Sequence, residues 1–135
     1  MTRFILDTGI AGYFINNLRG VRPRAMAEVR RGNRIGVVVP ILGELYFGVE
    51  RSATRDRNLK LLLAALGHLT IWPYTDDAAE EYGRLAAELR RIGRPMQQID
   101  IQIAAIALSL GNCTVVSSDS DLAAVPGLAV ENWAS

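Results

Sequence analysis

The chain has 135 residues; half of them are hydrophobic, 21% are charged, and the formal net charge is +1. This composition excludes an intrinsically disordered chain and predicts one folded domain that spans residues 1–135. The near-neutral balance gives no indication of a nucleic-acid partner, but every basic residue except Lys60 is an arginine. Arginine suits bidentate phosphate recognition, although its clustering alone favours a solvated face or a partner-docking surface.

The cysteine and histidine content narrows the chemistry further. Cys113 is the only cysteine, so an internal disulfide is excluded, and it lies in an apolar run that predicts a buried thiol. His68 is the only histidine, which argues against a histidine-dependent catalytic triad. No apolar stretch reaches transmembrane length and no secretory signal pattern is present, so we expect no membrane association and a cytoplasmic location.

The hydrophobic pattern predicts short strands that alternate with helices. In chain order it predicts a strand (3–6), helices at 8–17 and 23–31, a strand (35–39), helices at 40–50 and 54–66, a strand (69–72), helices at 76–92 and 98–110, a strand (114–116) and an edge strand (128–130). The strands are continuously apolar, as in a sheet covered on both faces. The sequence therefore predicts an α/β fold, a three-layer α/β/α sandwich around a mainly parallel sheet.

Acidic residues occur near the predicted strand ends and helix starts. Asp7 ends the first strand, Glu44 and Asp100 lie early in their helices, and Asp119 and Asp121 follow the strand at 114–116. Ligands in open α/β sheets bind at the carboxyl ends of the strands, so these acids are candidates for one site. Each of them taken alone is better explained as a helix cap.

The neighbours of two of these acids favour a shared site. Glu44 and Asp100 are surrounded in sequence by Ile, Leu, Ala, Tyr and Phe, which predicts that both carboxylates are buried and need a partner. Converging carboxylates repel one another unless a cation lies between them. A ligand set of oxygens without cysteine or histidine suits Mg²⁺ or Mn²⁺, which activate water in phosphodiester hydrolysis.

Four segments in this order and at this spacing resemble one family. They are Ile5-Leu6-Asp7-Thr8, Gly43–Ser52, Arg90–Pro95 leading to Asp100–Ala105, and Val116–Leu122 running on to Trp133. Over essentially the full length, the chain resembles the PIN domain, in particular the VapC-type toxins of bacterial toxin–antitoxin modules. The resemblance implies an α/β/α sandwich and a Mg²⁺- or Mn²⁺-dependent endoribonuclease that acts as the toxin of a type II toxin–antitoxin system.

The resemblance also assigns site residues by position. Asp7, Glu44, Asp100 and Asp119 match the catalytic, metal-binding acids; Asp121 matches a further acid that assists, and Thr8 matches a residue that supports the first acid. The chain departs from the family pattern at Gly9, Pro40, Gly43 and Ser117-Ser118. These departures remove no carboxylate, but they put the hydrogen bonds around the acids in question.

The family resemblance implies three partners: an RNA substrate, a cognate antitoxin and a second copy of the chain in a homodimer. An antitoxin would lie over apolar grooves between helices, where Tyr13, Phe14, Tyr46 and Phe47 are candidates, although core packing explains at least half of them. The tripeptide Asp7-Thr8-Gly9 also occurs in aspartic proteases, but those enzymes are rich in β-structure and pair two such loops. The alternative that stays open is a non-catalytic PIN-like module that binds RNA or protein.

Overall fold

A five-stranded, all-parallel sheet forms the centre of the molecule in the computed structural model, which describes residues 1–135. The strands are β1 (Arg3–Leu6), β2 (Arg34–Val38), β3 (Thr70–Trp72), β4 (Cys113–Val116) and β5 (Ala129–Glu131). The helices are α1 (Thr8–Asn16), α2 (Val21–Arg30), α3 (Val39–Glu50), α4 (Arg55–Leu66), α5 (Asp76–Arg91), α6 (Gln98–Leu110) and α7 (Ser120–Ala123). None of the helices is both long and apolar enough to cross a membrane.

The strand order β3-β2-β1-β4-β5 creates a crevice in the middle of the sheet. From β1 the chain winds outward through β2 to β3 and then returns to the other side to form β4 and β5. The reversal falls between β1 and β4, whose registers pair Leu6 with Val116. The Asp7 amide continues this ladder by donating to the Val116 carbonyl at 3.1 Å. The topological switch point, where such folds bind ligands, therefore lies beside Asp7.

The predicted α/β fold class is confirmed, and the predicted boundaries differ from the observed ones by at most two residues. Val39, predicted in a strand, belongs to the first turn of α3. The four-residue helix α7 was not predicted, because one turn is too short to show a hydrophobic period. Cys113, expected to be buried, is only partly so, although burial raises the pKa of its thiol to about 11.

A polar cluster ties α2 to the carboxyl-terminal segment. Glu28 is only 4% exposed and accepts hydrogen bonds from Arg24 at 3.1 Å and from Asn33 at 3.1 Å. Arg31 pairs with the same carboxylate at 3.2 Å. Burial alone would raise the pKa of Glu28, but the hydrogen bonds from Asn33, Arg24 and Arg31 bring it below its ordinary value. A buried acid with this many donors contributes to stability as long as all of them remain.

The cluster extends from Arg24 to the last strand and the residues after it. The Arg24 guanidinium lies 5.1 Å from the Trp133 ring centroid and 3.4 Å from a Glu131 carboxylate oxygen. The Trp133 indole donates to Glu131 at 3.0 Å and packs against the Phe4 ring with centroids 5.0 Å apart. These contacts tie α2 to β5 and hold the Trp133 ring against β1.

We expect Glu28→Gln to lower the free energy of unfolding by about 1–3 kcal/mol, because it removes the charge from a buried carboxylate with three donors. Glu88→Gln is the matched control, since Glu88 forms an exposed pair with Arg91 on α5 and its loss should leave the free energy of unfolding nearly unchanged. Urea unfolding followed by circular dichroism measures both variants. Equal effects of the two substitutions would contradict a structural role for the Glu28 cluster.

Candidate active site

Asp7 is fixed by hydrogen bonds to both of its carboxylate oxygens. As the N-cap of α1 it accepts from the Ile10 amide at 2.8 Å, and its other oxygen accepts from the Ser117 hydroxyl at 2.5 Å. Burial raises the pKa of Asp7 most, the hydrogen bonds from Ser117 and Ile10 lower it, and the charge of Asp119 raises it again. The net pKa of Asp7 lies above its ordinary value. The ionised form is therefore disfavoured in the folded protein, although the residue caps α1.

Ser117 joins the ends of β1 and β4. It is 2% exposed, and besides donating to Asp7 its hydroxyl accepts from the Asp119 amide at 2.9 Å. Asp119 in turn caps α7 by accepting from the Asp121 amide at 2.8 Å. In the sequence, Ser117 was noted only as a departure from the family pattern that put the hydrogen bonds around the acids in question. The structure shows that its hydroxyl forms hydrogen bonds with both Asp7 and Asp119.

Asp7, Glu44, Asp100, Asp119 and Asp121 are called the acidic group below. The pKa of Asp100 is affected by all four of the others. Asp100 lies in the first turn of α6 and is partly buried. Burial, followed by the negative charges of Asp119, Asp7, Asp121 and Glu44, raises its pKa to about 6. The structure thus brings the four other predicted acids within electrostatic reach of Asp100, although the five come from four separate parts of the chain.

The expectation that Glu44 is buried was wrong. Glu44 is exposed, because α3 turns Ile41 and Val49 toward the core and Glu44 lies on a different face. The Thr8 hydroxyl, expected to support the first acid, Asp7, donates instead to the Glu44 carboxylate at 3.1 Å and so links α1 to α3. Two of the apolar neighbours that suggested burial, Tyr46 and Phe47, are themselves exposed.

Arg94 is the one cation that contacts the acidic group directly. Its guanidinium lies 3.5 Å from an Asp121 carboxylate oxygen, and both side chains are about half exposed. A Schellman motif places it there: the Arg94 amide donates to the Leu89 carbonyl and the Gly93 amide to the Arg90 carbonyl. Gly93 has a φ of +74°, which favours glycine at this position. The sequence placed Arg94 in one of the segments that resemble the family, but it did not predict a contact with the acids.

The acidic group supplies carboxylate oxygens that can act as metal ligands, and Arg94 is the only cationic side chain beside it. As placed, no three of the His, Cys, Asp and Glu side chains converge closely enough to hold one ion. The fit of a metal therefore rests on the chemistry of the donors: four other carboxylates lie within electrostatic reach of Asp100, and a single arginine lies beside them. Such a set suits a hard divalent cation, and the exposed carboxylates of Glu44 and Asp121 are free of packing constraints that would prevent their turning toward it.

The other departures from the family pattern leave room around the site. A Cβ added to Gly9 would lie 3.8 Å from the nearer Asp7 oxygen, an ordinary contact distance, and one added to Gly43 would meet nothing within 4 Å. Neither glycine adopts a positive φ. The backbone thus does not require glycine at either position, and their effect is to leave the surface beside Asp7 and Glu44 open.

Comparison with known proteins identifies the family. A family model of the PIN domain matches residues 4–128. The chain is 32% identical to "tRNA(fMet)-specific endonuclease VapC" of Shigella flexneri, covering 98% of this chain and 99% of that one. It is 34% identical to "Ribonuclease VapC5" of Mycobacterium tuberculosis, with 93% and 89% covered.

Solved structures agree with the sequence relatives. The toxin–antitoxin complex VapBC2 from Rickettsia felis, bound to a fragment of its promoter DNA, contains a chain that superimposes with a TM-score of 0.90 at 28% identity, over 98% of this chain and 99% of that one. DNA-bound VapBC from Salmonella typhimurium gives 0.89 at 31% identity, with 98% and 99% covered. The chain belongs to the PIN domain family.

Proposed function

We propose that this protein is a divalent-metal-dependent endoribonuclease that acts as the toxin of a type II toxin–antitoxin module. Its catalytic acids are Asp7, Glu44, Asp100 and Asp119; Asp121 assists, and Thr8 supports Glu44. The observation that carries the proposal is the geometry at the switch point of the sheet, where Ser117 ties Asp7 to Asp119 and the charges of Asp7, Glu44, Asp119 and Asp121 all act on Asp100. The nuclease relatives and the toxin–antitoxin complexes of the same fold support the substrate class and the partner.

The residues of the site have separable roles in this proposal. Asp7, Glu44, Asp100 and Asp119 hold the cation, and Ser117 and the Ile10 amide keep Asp7 in one orientation. A bound Mg²⁺ or Mn²⁺ supplies an activated water and offsets the charge that develops on the phosphate oxygens. Arg94 is placed to contact the RNA backbone at the edge of the acids.

We expect Asp7→Asn and Asp100→Asn each to reduce RNA cleavage by more than about 100-fold, because loss of a supporting residue alone typically costs about 10–100-fold. Ser117→Ala should reduce cleavage by about 10–100-fold, since Asp7 loses the hydrogen bond that orients it but keeps its charge. Asp77→Asn is the control, because Asp77 is an exposed acid in the first turn of α5, outside the group. The measurement is cleavage of total RNA with Mg²⁺ or Mn²⁺, followed by sequencing of the new ends.

Two results would contradict the nuclease proposal. One is equal cleavage by the wild type and Asp7→Asn, which would assign the activity to another site or to a contaminant. The other is RNA binding by the wild type without cleavage in either metal, which would favour a non-catalytic binding module.

The acids also predict how pH affects the metal-free protein. The folded-state pKa of Asp100, about 6, exceeds its ordinary value of 3.8, so the ionised form is disfavoured by folding. The stability that this residue contributes is full below about pH 4 and is lost as pH rises through 6. In EDTA, we expect Asp100→Asn to unfold a few degrees above the wild type at pH 7.5 and to lose that advantage near pH 4.

Metal addition reverses this order. Mg²⁺ or Mn²⁺ at pH 7.5 should raise the unfolding temperature of the wild type and leave that of Asp100→Asn nearly unchanged, because the cation relieves the repulsion only where the carboxylate is present. Thermal unfolding across pH, with and without metal, measures both effects. A metal response of equal size in both proteins would remove Asp100 from the ligand set.

The partner surface we propose for the antitoxin is a pair of adjoining grooves beside α1 and α4. The first, about 180 Å³, runs between α1, α3 and α4; its lining includes Gly12, Leu45, Gly48 and Leu62. The second, about 290 Å³, lies between α1, α2 and α4 and includes Phe14 and His68 in its lining. Both are mainly apolar, as suits an apolar helix or extended segment of a partner.

The four aromatic residues expected at this surface divide between different environments. Phe14 is buried and its edge lines the second groove, and Tyr13 is partly buried against the core. Tyr46 and Phe47 are exposed on α3 outside both grooves. The homodimer stays a prediction; Val39 and Tyr46 of α3 give it an exposed apolar surface, and light scattering measures it.

We expect Gly12→Leu to abolish binding of the antitoxin while RNA cleavage remains. A Cβ at Gly12 meets nothing within 4 Å, so the leucine side chain can fill the groove without forcing the helix apart. Gly83→Leu is the matched control, because Gly83 is an exposed helical glycine of α5 with equally open surroundings. Co-expression with the antitoxin and pull-down measures binding; retention of the antitoxin by Gly12→Leu would exclude this groove.

A further inference from the structure

Phe47 and Arg51 continue the face of α3 that carries Glu44. The three residues are spaced by three and four positions, so their side chains are neighbours on one helical stripe, with Cβ atoms about 5–6 Å apart. Phe47 is 66% exposed, more than any other large hydrophobic side chain in the molecule. The Arg51 guanidinium lies over its ring, 5.6 Å from the centroid.

The fold does not account for either side chain. The core contacts of α3 are made by Ile41, Leu45 and Val49, and Phe47 faces away from all of them. Arg51 forms no ion pair and no side-chain hydrogen bond, whereas nearby Arg55 is paired with both Glu50 and Asp56. An exposed ring with an uncompensated guanidinium above it therefore lies one helical turn from a candidate catalytic acid.

We propose that Phe47 and Arg51 form the binding platform for one nucleotide of a single-stranded RNA beside the cleaved bond. The inference rests on the proposed nuclease function and adds a substrate-positioning contact to it. The Phe47 ring stacks on the base, and Arg51 contacts the phosphate of the same segment. Base–aromatic stacking depends little on the identity of the base, because every base has an aromatic face.

The charges near the platform favour RNA over a protein as its occupant. Burying Arg51 in a protein interface requires an acidic partner, while an RNA strand brings a phosphate with every nucleotide. Arg57 and Lys60, which follow Arg51 in the chain, are also exposed and form no ion pair. The grooves that suit an apolar protein segment lie on a different side of α3, against α1 and α4.

The central test measures RNA binding without divalent metal, so that cleavage does not enter. The probes are fluorescent single-stranded oligoribonucleotides, one of uridines and one of adenines. Phe47→Ala should weaken binding of both about 5- to 100-fold, the range that one stacked base gives. Phe47→Leu should be as weak as Phe47→Ala, and Phe47→Trp should bind like the wild type, because the contact needs an aromatic face rather than an apolar one.

Arg51 has a separate signature in the salt dependence. Arg51→Gln should reduce the slope of log Kd against log salt by about 0.7–1, as expected for one lost phosphate contact. Arg30→Gln is the matched control, because Arg30 is an exposed, unpaired arginine at the end of α2. Leu63→Ala, at an exposed apolar residue of α4, controls for a general loss of apolar surface.

Each outcome bears on a different claim. Unchanged binding and salt slope in both the Phe47 and Arg51 variants would overturn the platform. Loss of antitoxin binding, or a halved mass in light scattering, for a Phe47→Ala variant that binds RNA normally would assign this face to a protein partner and also overturn it. Phe47-dependent binding by a wild type that cleaves no RNA would support the platform while contradicting the nuclease function.

Discussion

The hydrogen bond between the Ser117 hydroxyl and the Asp7 carboxylate joins the two strand ends on which the site depends. The parallel pairing of β1 with β4 brings these residues together across 110 positions of sequence. The same hydroxyl accepts a hydrogen bond from the Asp119 amide. One buried serine therefore positions both Asp7 and Asp119. Because this contact lies at the topological switch point, the carboxylates meet where the sheet is open to a ligand.

The surroundings of Glu28 and Asp100 shift the pKa values of these two acids in opposite directions. Glu28 is buried among Arg24, Arg31 and Asn33, and its pKa falls below the ordinary value. Burial and the negative charges of four other carboxylates raise the pKa of Asp100 to about 6. The first arrangement stabilises the fold, while the second opposes it and persists only because the hydrophobic packing of the sheet and helices outweighs it. Such unrelieved repulsion among carboxylates is consistent with the cation site that we propose.

Much of this arrangement could be predicted from the sequence, since continuous apolar strands, helical periods and acids at strand ends are local signals. Asp7 and Asp119 were predictable both as caps and as site residues, and the structure shows that each caps a helix within the acidic group. The exposure of Glu44 was not predictable, because the sequence does not show that two of its apolar neighbours, Tyr46 and Phe47, face outward. Ser117 and Arg94 gave little signal either, since their contacts arise from strand pairing and from a Schellman turn.

Helix α3 explains how an apolar sequence can surround an exposed acid. Ile41 and Val49 face the core, Leu45 and Gly48 line the groove proposed for the antitoxin, and Glu44 and Phe47 face the proposed path of the RNA. A partner segment confined to the groove would leave Glu44 uncovered. Inhibition by the antitoxin therefore requires either that its chain continue beyond the groove over the acids, or that filling the groove shift α3 and separate Glu44 from Thr8.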